Sequence, residues 1–238
     1  MNRVAAIQNT FRSIRENPSN YLTERSLKRF EAFWLGYTSR ELGSDMSVIR
    51  YLIPDGFHDF INDKYKNSTT HGAIEVVTLY SRDESAAWDL YFELHDEFNA
   101  SHEFDEPTER NTEVEKHQRS LEEILPAVLA RPAMYVGSSS FNLIAEVVLG
   151  WLRATSDLRY EESDYETRFR RMLRYIEEFD INLPGPPWHS IIWFHTMNDE
   201  DARRLFIDYL DEFVTERRGW IKRIEYHMKR RLEARRLN

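Results

Sequence analysis

The sequence lacks several residue types and patterns that mark particular classes of protein. It has no cysteine, which excludes disulfides, thiolate zinc sites, iron–sulfur clusters and cysteine nucleophiles. Its 8 glycines and 8 prolines are too few for the many turns of a β-sandwich, so the composition favours helices. No apolar run approaches the ~20 residues that span a bilayer, and Met1 to Thr10 lack the apolar core of a signal peptide. We therefore expect a cytoplasmic protein without membrane contact.

Catalytic and metal-binding motifs are also missing. None of the 8 histidines forms a His-x-x-x-His or His-Glu-x-x-His pair, which would place two imidazoles on one helical face. Among 41 Asp and Glu residues, adjacent acids arise without function, and nothing singles out two of them for general acid–base catalysis. A glycine-rich phosphate loop is absent. The sequence therefore predicts a protein that is not an enzyme and holds no metal or cofactor.

The charge of the chain is divided unequally. The net charge is −9, but residues 219–238 contain seven Lys and Arg against two Glu, so the preceding residues carry −14. An acidic body disfavours nucleic acid and favours basic partners. In the basic segment, Ile221, Ile224, Met228 and Leu232 are spaced by three and four, which predicts an amphipathic helix. That helix would either dock on the acidic body or bind nucleic acid or an anionic surface.

An internal repeat is the strongest pattern in the sequence. Moving the second half back by 114 positions places Pro132 on Pro18, Tyr135 on Tyr21 and Gly150 on Gly36. At 115, Asp211-Glu212-Phe213 repeats Asp96-Glu97-Phe98. Proline and glycine are each required by a particular backbone conformation or packing contact, so chance does not readily explain why they match at a fixed offset. The pattern predicts a duplication that covers about 5–98 and 119–213.

Apolar residues spaced by three and four predict several helices in each copy. The segment 73–80 is rich in β-branched residues, which suits a strand, but its spacing recurs at 188–195 and is helical. Ser120 and Glu123 have the form of a capping box that starts a helix. We predict an all-α fold of two tandem pseudo-symmetric helical repeats plus a basic C-terminal helix. The predicted ranges are 1–100 and 120–216 for the repeats, 101–119 for an acidic linker, and 217–238 for the C-terminal helix.

The segment Arg131 to Gly137 resembles the Arg-Pro-Gly-Met-Tyr-Ile-Gly segment of the gyrase B type ATPase domain, and Glu146 follows at a suitable distance. That family then needs an Asn for Mg-ATP, where this chain has Leu149-Gly150. It also needs an Asp-x-Gly-x-Gly loop, which this chain lacks. The comparison therefore argues against ATP binding.

The second copy is similar to a group of poorly characterised bacterial helical-repeat proteins that resemble immunity proteins of toxin systems. The likeness rests on Arg-Pro-x-Met-Tyr-x-Gly at 131–137, a helix that ends in Gly150-Trp151, and the terminal Asp-Glu-Phe. The first copy departs from the motif, with Asn17, Asn20 and Thr23 in place of Arg, Met and Gly. The motif residues suit packing, so the resemblance implies a fold more than an activity.

Three functional hypotheses follow. The first is an immunity protein that binds and neutralises a cognate protein toxin by surface complementarity, and the acidic body makes a basic toxin the expected partner. The second is a nucleic-acid-binding or regulatory module that uses the basic C-terminal helix, and the third is an enzyme with a site between the repeats. For the first hypothesis, the candidate contact residues are two acidic groups and one aromatic pair. They are Glu103, Asp105 and Glu106; Glu161, Glu162 and Asp164; and Trp188 with His189.

Overall fold

The structure is a computed structural model that describes residues 3–40, 54, 56–66, 72–101, 120–179 and 187–213. Over these ranges the chain forms eleven α-helices, one 3-10 helix at Pro18–Asn20, and no strand. The all-α prediction is therefore confirmed for these ranges. The predicted helix at 217–238 and the linker from residue 102 lie outside them. The helices are α1 Arg3–Glu16, α2 Leu27–Ser39, α3 Phe57–Tyr65, α4 Ala73–Leu79, α5 Glu84–Ser101, α6 Leu121–Ala130, α7 Pro132–Val136, α8 Phe141–Asp157, α9 Asp164–Phe179, α10 Trp188–Phe194 and α11 Asp199–Phe213.

The chain folds into two compact units. Residues 1–119 and 146–160 belong to the first unit, and residues 120–145 and 161–238 to the second. Helix α8 therefore contributes to both. The predicted boundaries instead place all of α8 in the second repeat. Where one repeat ends and the next begins stays a prediction. In the part of the chain that the structure describes, no helix is long and apolar enough to cross a membrane.

Side chains at the helix starts explain why several helices begin where they do. The capping box at Ser120 is confirmed: the Ser120 backbone N–H donates to the Glu123 carboxylate at 2.9 Å. Ser163 and Glu166 make the same reciprocal pair at the start of α9, with distances of 2.9 and 3.2 Å. Such caps satisfy backbone N–H groups that have no partner inside the helix. The sequence analysis did not identify α9 as a helix, although Ser-x-x-Glu precedes it.

The core of the first unit is aromatic. Phe30 of α2 packs against Trp88 and Phe92 of α5, with ring centroids 5.6 and 5.7 Å apart, and Trp34 of α2 packs against Phe30 at 6.0 Å. Tilted and edge-on pairs of this kind suit the ring quadrupoles. The ambiguous segment 73–80 forms helix α4, as predicted, and buries four side chains in the same core. They are Ala73, Ile74, Val76 and Val77.

Two glycines allow α2 and the first-unit part of α8 to pack backbone against backbone. A Cβ added at Gly36 would lie 1.9 Å from the Val147 carbonyl oxygen, and one at Gly150 would lie 1.9 Å from the Phe33 carbonyl oxygen. No side chain fits at such a distance. The packing demand expected of the matched glycines is therefore the close approach of a second helix.

The core of the second unit surrounds α11. Phe206 stacks on Trp188 with ring centroids 5.1 Å apart, and it meets the edges of Phe141 and Phe169 at 5.7 and 6.2 Å. The helices α6, α9, α10 and α11 pack together in this unit. Because these rings pack against one face of α11, another face of that helix is left at the surface.

Candidate protein-binding groove

The structure separates the candidate contact residues that the sequence predicted. Glu103, Asp105 and Glu106 lie outside the described residues. Glu161, Glu162 and Asp164 come together at the exposed start of α9, where Glu162 pairs with Arg170 at 2.5 Å. Trp188 and His189 are only 2% and 5% exposed, and the Trp188 indole packs in the core of the second unit. The exposed part of the predicted surface is therefore the acidic turn before α9.

A groove of about 640 Å³ runs between α6 and α11 of the second unit. We call it the second-unit groove. Apolar side chains from both helices, together with Tyr165 of α9, make up most of its lining, and charged side chains complete it. The apolar residues are Pro126, Leu129, Ala130, Ile207 and Leu210, and the charged ones are Glu122, Glu200, Arg203, Arg204 and Asp211.

Arg203 and Arg204, the two cations of the second-unit groove, donate hydrogen bonds to neighbouring groups. Arg203 donates to Glu200 at 3.0 Å and to the Leu129 carbonyl oxygen at 3.0 Å. Leu129 lies in the last turn of α6, where carbonyl groups have no partner inside the helix. Arg204 donates to the other oxygen of Glu200 at 2.8 Å. These bonds engage both arginines with α6 and α11 themselves.

The surroundings of the groove are acidic. The described residues of the second unit include 14 Asp and Glu against 7 Arg, a net charge of −7. Burial, and secondarily the Glu122 carboxylate, raises the pKa of Tyr165 to about 12, so its hydroxyl stays neutral. The site thus combines an apolar strip with a negative field. This combination suits a basic, amphipathic ligand.

A smaller groove of about 330 Å³ lies in the first unit, between α1, Arg25 and α5. We call it the first-unit groove. Arg15 donates to Asp96 at 2.8 Å and its guanidinium lies 5.2 Å from the centre of the Phe92 ring. Arg25 pairs with Asp89 and lies 5.7 Å from the centre of the Trp88 ring. The two arginines therefore cover an aromatic floor.

The buried carboxylate Glu146 forms a structural link. It is fully buried on α8 and accepts hydrogen bonds from the Thr23 hydroxyl and from the Thr23 backbone N–H, the latter at 3.0 Å. Arg29 approaches it at 3.4 Å. Burial raises the pKa of Glu146, and the bonds from Thr23 and Arg29 oppose that rise. The acid that follows the ATPase-like segment thus ties α8 to α2 and to the chain before it.

The described ranges contain no group of three His, Asp or Glu side chains arranged to hold a metal ion. The Arg-Pro-x-Met-Tyr-x-Gly segment divides in two: Pro132 and Val136 are buried, whereas Met134 and Tyr135 are exposed. The interpretation that this motif serves packing therefore holds for Pro132 and Val136 only.

A second exposed apolar surface lies at the end of α10. Trp193, Phe194 and Met197 are 41%, 45% and 75% exposed. Large apolar side chains clustered at the surface often mark protein–protein contacts. The sequence analysis missed them, although a signal was present: they fall outside the buried stripe of Trp188, Ile191, Ile192 and His195. It missed the second-unit groove for a different reason, because the lining residues of α6 and those of α11 are 70 or more positions apart.

Comparisons with protein-family models, with curated proteins and with solved structures found no match for this chain. The functional proposal below therefore depends on the geometry of the chain itself.

Proposed function

We propose that this protein is a cytoplasmic immunity protein that binds a cognate bacterial toxin, and that the second-unit groove receives a basic amphipathic helix of that toxin. The observation that carries the proposal is the groove itself, an apolar strip between α6 and α11 in a unit whose described residues carry a net charge of −7. A binding protein of this kind needs no catalytic residues. It needs an apolar anchor site and complementary charge.

The shape of the groove supports a helical ligand. Its lining residues on α11 run from Glu200 to Asp211, which corresponds to about 16 Å of helix. Three turns of a ligand helix would cover this length and present apolar side chains at i, i+3, i+4 and i+7. Lys and Arg on the flanks of such a helix would face Glu122 and Asp211. The local field of these carboxylates would also increase the rate of association at low salt.

Replacing Leu129 with Arg should abolish neutralisation. An arginine here would place a charge over the apolar strip and within the acidic lining, so the ligand would have to displace it. We expect at least a 100-fold loss of affinity for the toxin, equivalent to about 2.7 kcal/mol. Growth rescue and co-purification, with the product of the neighbouring gene co-expressed as candidate toxin, measure the effect.

Leu79→Arg is the control for adding an arginine at an apolar surface position, because Leu79 is 69% exposed on α4 of the first unit and lines neither groove. Leu129 itself is 5% exposed, so urea unfolding must also show that Leu129→Arg is folded. This variant should rescue growth as wild type does. Full rescue by Leu129→Arg would contradict the assignment of the groove. If wild-type protein neither rescues growth nor co-purifies with the candidate toxin, the immunity proposal itself is wrong for that pair.

A further inference from the structure

We infer that the chain's own basic C-terminal segment, residues 219–238, docks in the second-unit groove as a helix antiparallel to α11, so that a toxin must displace it. In the resting protein this C-terminal segment would thus compete with the toxin for one site. That regulatory role rests on the proposed function, whereas occupancy of the groove by the segment can be tested without toxin. The two can therefore fail separately.

The chain leaves α11 close to one end of the groove. Helix α11 ends at Phe213, and Asp211, two residues before that end, lines the groove. Residues 214–238 belong to the same compact unit. Seven residues, including Gly219, separate Phe213 from Ile221. Connections of about two to eight residues commonly join antiparallel helices, so a chain that reverses here runs back along α11 and over the groove.

The groove and the apolar stripe of the C-terminal segment match in length. The stripe begins at Ile221 and ends at Leu232, and the lining of α11 extends from Asp211 back to Glu200. Both advance eleven positions along the chain, which corresponds to about 16 Å of helix. An antiparallel pair with Ile221 beside Asp211 would therefore cover the apolar strip from end to end.

Charge complementarity favours the same occupant. Residues 219–238 contain seven Lys and Arg against two Glu, whereas the described residues of the second unit carry a net charge of −7. On the predicted helix, Lys222 and Lys229 are seven positions apart and fall on one flank of the apolar stripe. Their charges would be attracted to Glu122 and Asp211 of the lining. The C-terminal segment thus has the apolar face and basic flank that the groove suits.

The covalent connection to α11 strengthens this docking. A ligand on a short flexible linker has an effective concentration of about 1 mM at its site. The C-terminal segment can therefore fill the groove even if the same sequence, as a free peptide, would bind only weakly. A toxin displaces it when its own affinity for the groove, reduced by the fraction of protein in which the groove is occupied, is sufficient.

The absence of cysteine from the chain allows a disulfide test in the full-length protein. With Ile221 beside Asp211, Met228 would lie level with Arg204, whose side chain is 70% exposed. The double variant Arg204→Cys, Met228→Cys should therefore form an intramolecular disulfide in a buffer of oxidised and reduced glutathione. Asp211→Cys, Met228→Cys is the matched control. Its cysteines are closer along the chain, but docking would hold them about 10 Å apart along the helix axis, beyond the reach of a disulfide.

We expect about tenfold more intramolecular disulfide in the Arg204 variant than in the Asp211 variant, as measured by mass spectrometry of the non-reduced proteins. A C-terminal segment that does not dock would give the opposite order, because the shorter loop closes more readily. Equal yields, or a higher yield in the Asp211 variant, would overturn the inference. Disulfide-linked dimers would also overturn it, since they would assign the groove to a second copy of the chain.

A second pair of variants tests the docked face and serves if the first pair fails to fold. Ile207→Cys with Ile224→Cys joins the half-buried middle of the groove to the apolar stripe. Ile207→Cys with Tyr226→Cys is its control, because Tyr226 lies on the opposite side of the predicted helix. Only the Ile224 variant should oxidise. Similar yields in the two would overturn the inference.

The oxidised Arg204→Cys, Met228→Cys protein also separates this inference from the proposed function. With the C-terminal segment locked in the groove, it should bind the candidate toxin at least about tenfold more weakly than the same protein after reduction. If the disulfide forms and the toxin binds both forms equally, the result supports the docked segment and contradicts the groove as the toxin site. If the disulfide does not form, the docked segment is wrong whether or not the toxin binds.

Discussion

Replacing Gly150 with alanine should destabilise the protein by about 3 kcal/mol or more, although alanine is the better helix former by about 1 kcal/mol. The new methyl group would lie 1.9 Å from the Phe33 carbonyl oxygen and 2.9 Å from the Tyr37 backbone nitrogen. Both neighbours are backbone atoms of α2, which cannot rotate away as a side chain can. The helices must therefore separate, and every side chain packed between them loses contact. Urea unfolding followed by far-UV circular dichroism measures the effect.

Gly137→Ala provides the matched control for that result. Gly137 has a φ of +67°, and a Cβ there would meet nothing within 4 Å. Its replacement should cost only about 1–2 kcal/mol, from the left-handed backbone alone. Gly36→Ala should resemble Gly150→Ala, and the double variant should cost less than the sum, because a single separation of the helices relieves both clashes. Equal costs at Gly137 and Gly150 would contradict the crossing.

Much of the fold could be predicted because helices depend on local spacing. The stripe of Leu27, Phe30, Phe33 and Tyr37 is fully or almost fully buried on α2, as expected from their separation by three and four. The capping box at Ser120 fixed the start of α6 to the residue. Segment 73–80 illustrates the limit of propensity: its β-branched residues suited a strand, and only the recurrence of its spacing at 188–195 favoured a helix.

The candidate site could be predicted only in part, because it depends on contacts that the sequence does not display. Trp188 looked suited to anchor a partner because tryptophan often does so at interfaces, but here it stacks on Phe206 inside the second unit. The second-unit groove was not predicted, since the bond from Arg203 to the Leu129 carbonyl oxygen joins residues 74 positions apart.

Stability should fall as pH rises through a window defined by Glu31 of α2. Burial, and secondarily the charge of Glu75 on α4, raises the pKa of Glu31 from 4.5 to about 7. Between pH 4.5 and about 7 the folded state retains a proton that the unfolded state has released, so the free energy of unfolding decreases as the pH rises. Above pH 7 the charged Glu31 carboxylate destabilises the folded state by about 3 kcal/mol, and below pH 4.5 this destabilisation is absent.

Glu31→Gln should therefore be more stable than wild type at pH 8 by about 3 kcal/mol and about equal to it at pH 4, because glutamine has no charge to desolvate. Urea unfolding of both proteins at a series of pH values measures the difference. Two neighbours should shift the window in opposite directions. Glu75→Gln removes a negative charge that raises the pKa of Glu31, and so narrows the window, whereas Lys28→Gln removes a positive charge that lowers it, and so widens the window. A stability difference between Glu31→Gln and wild type that is independent of pH would show that the Glu31 carboxylate is solvated in the folded protein.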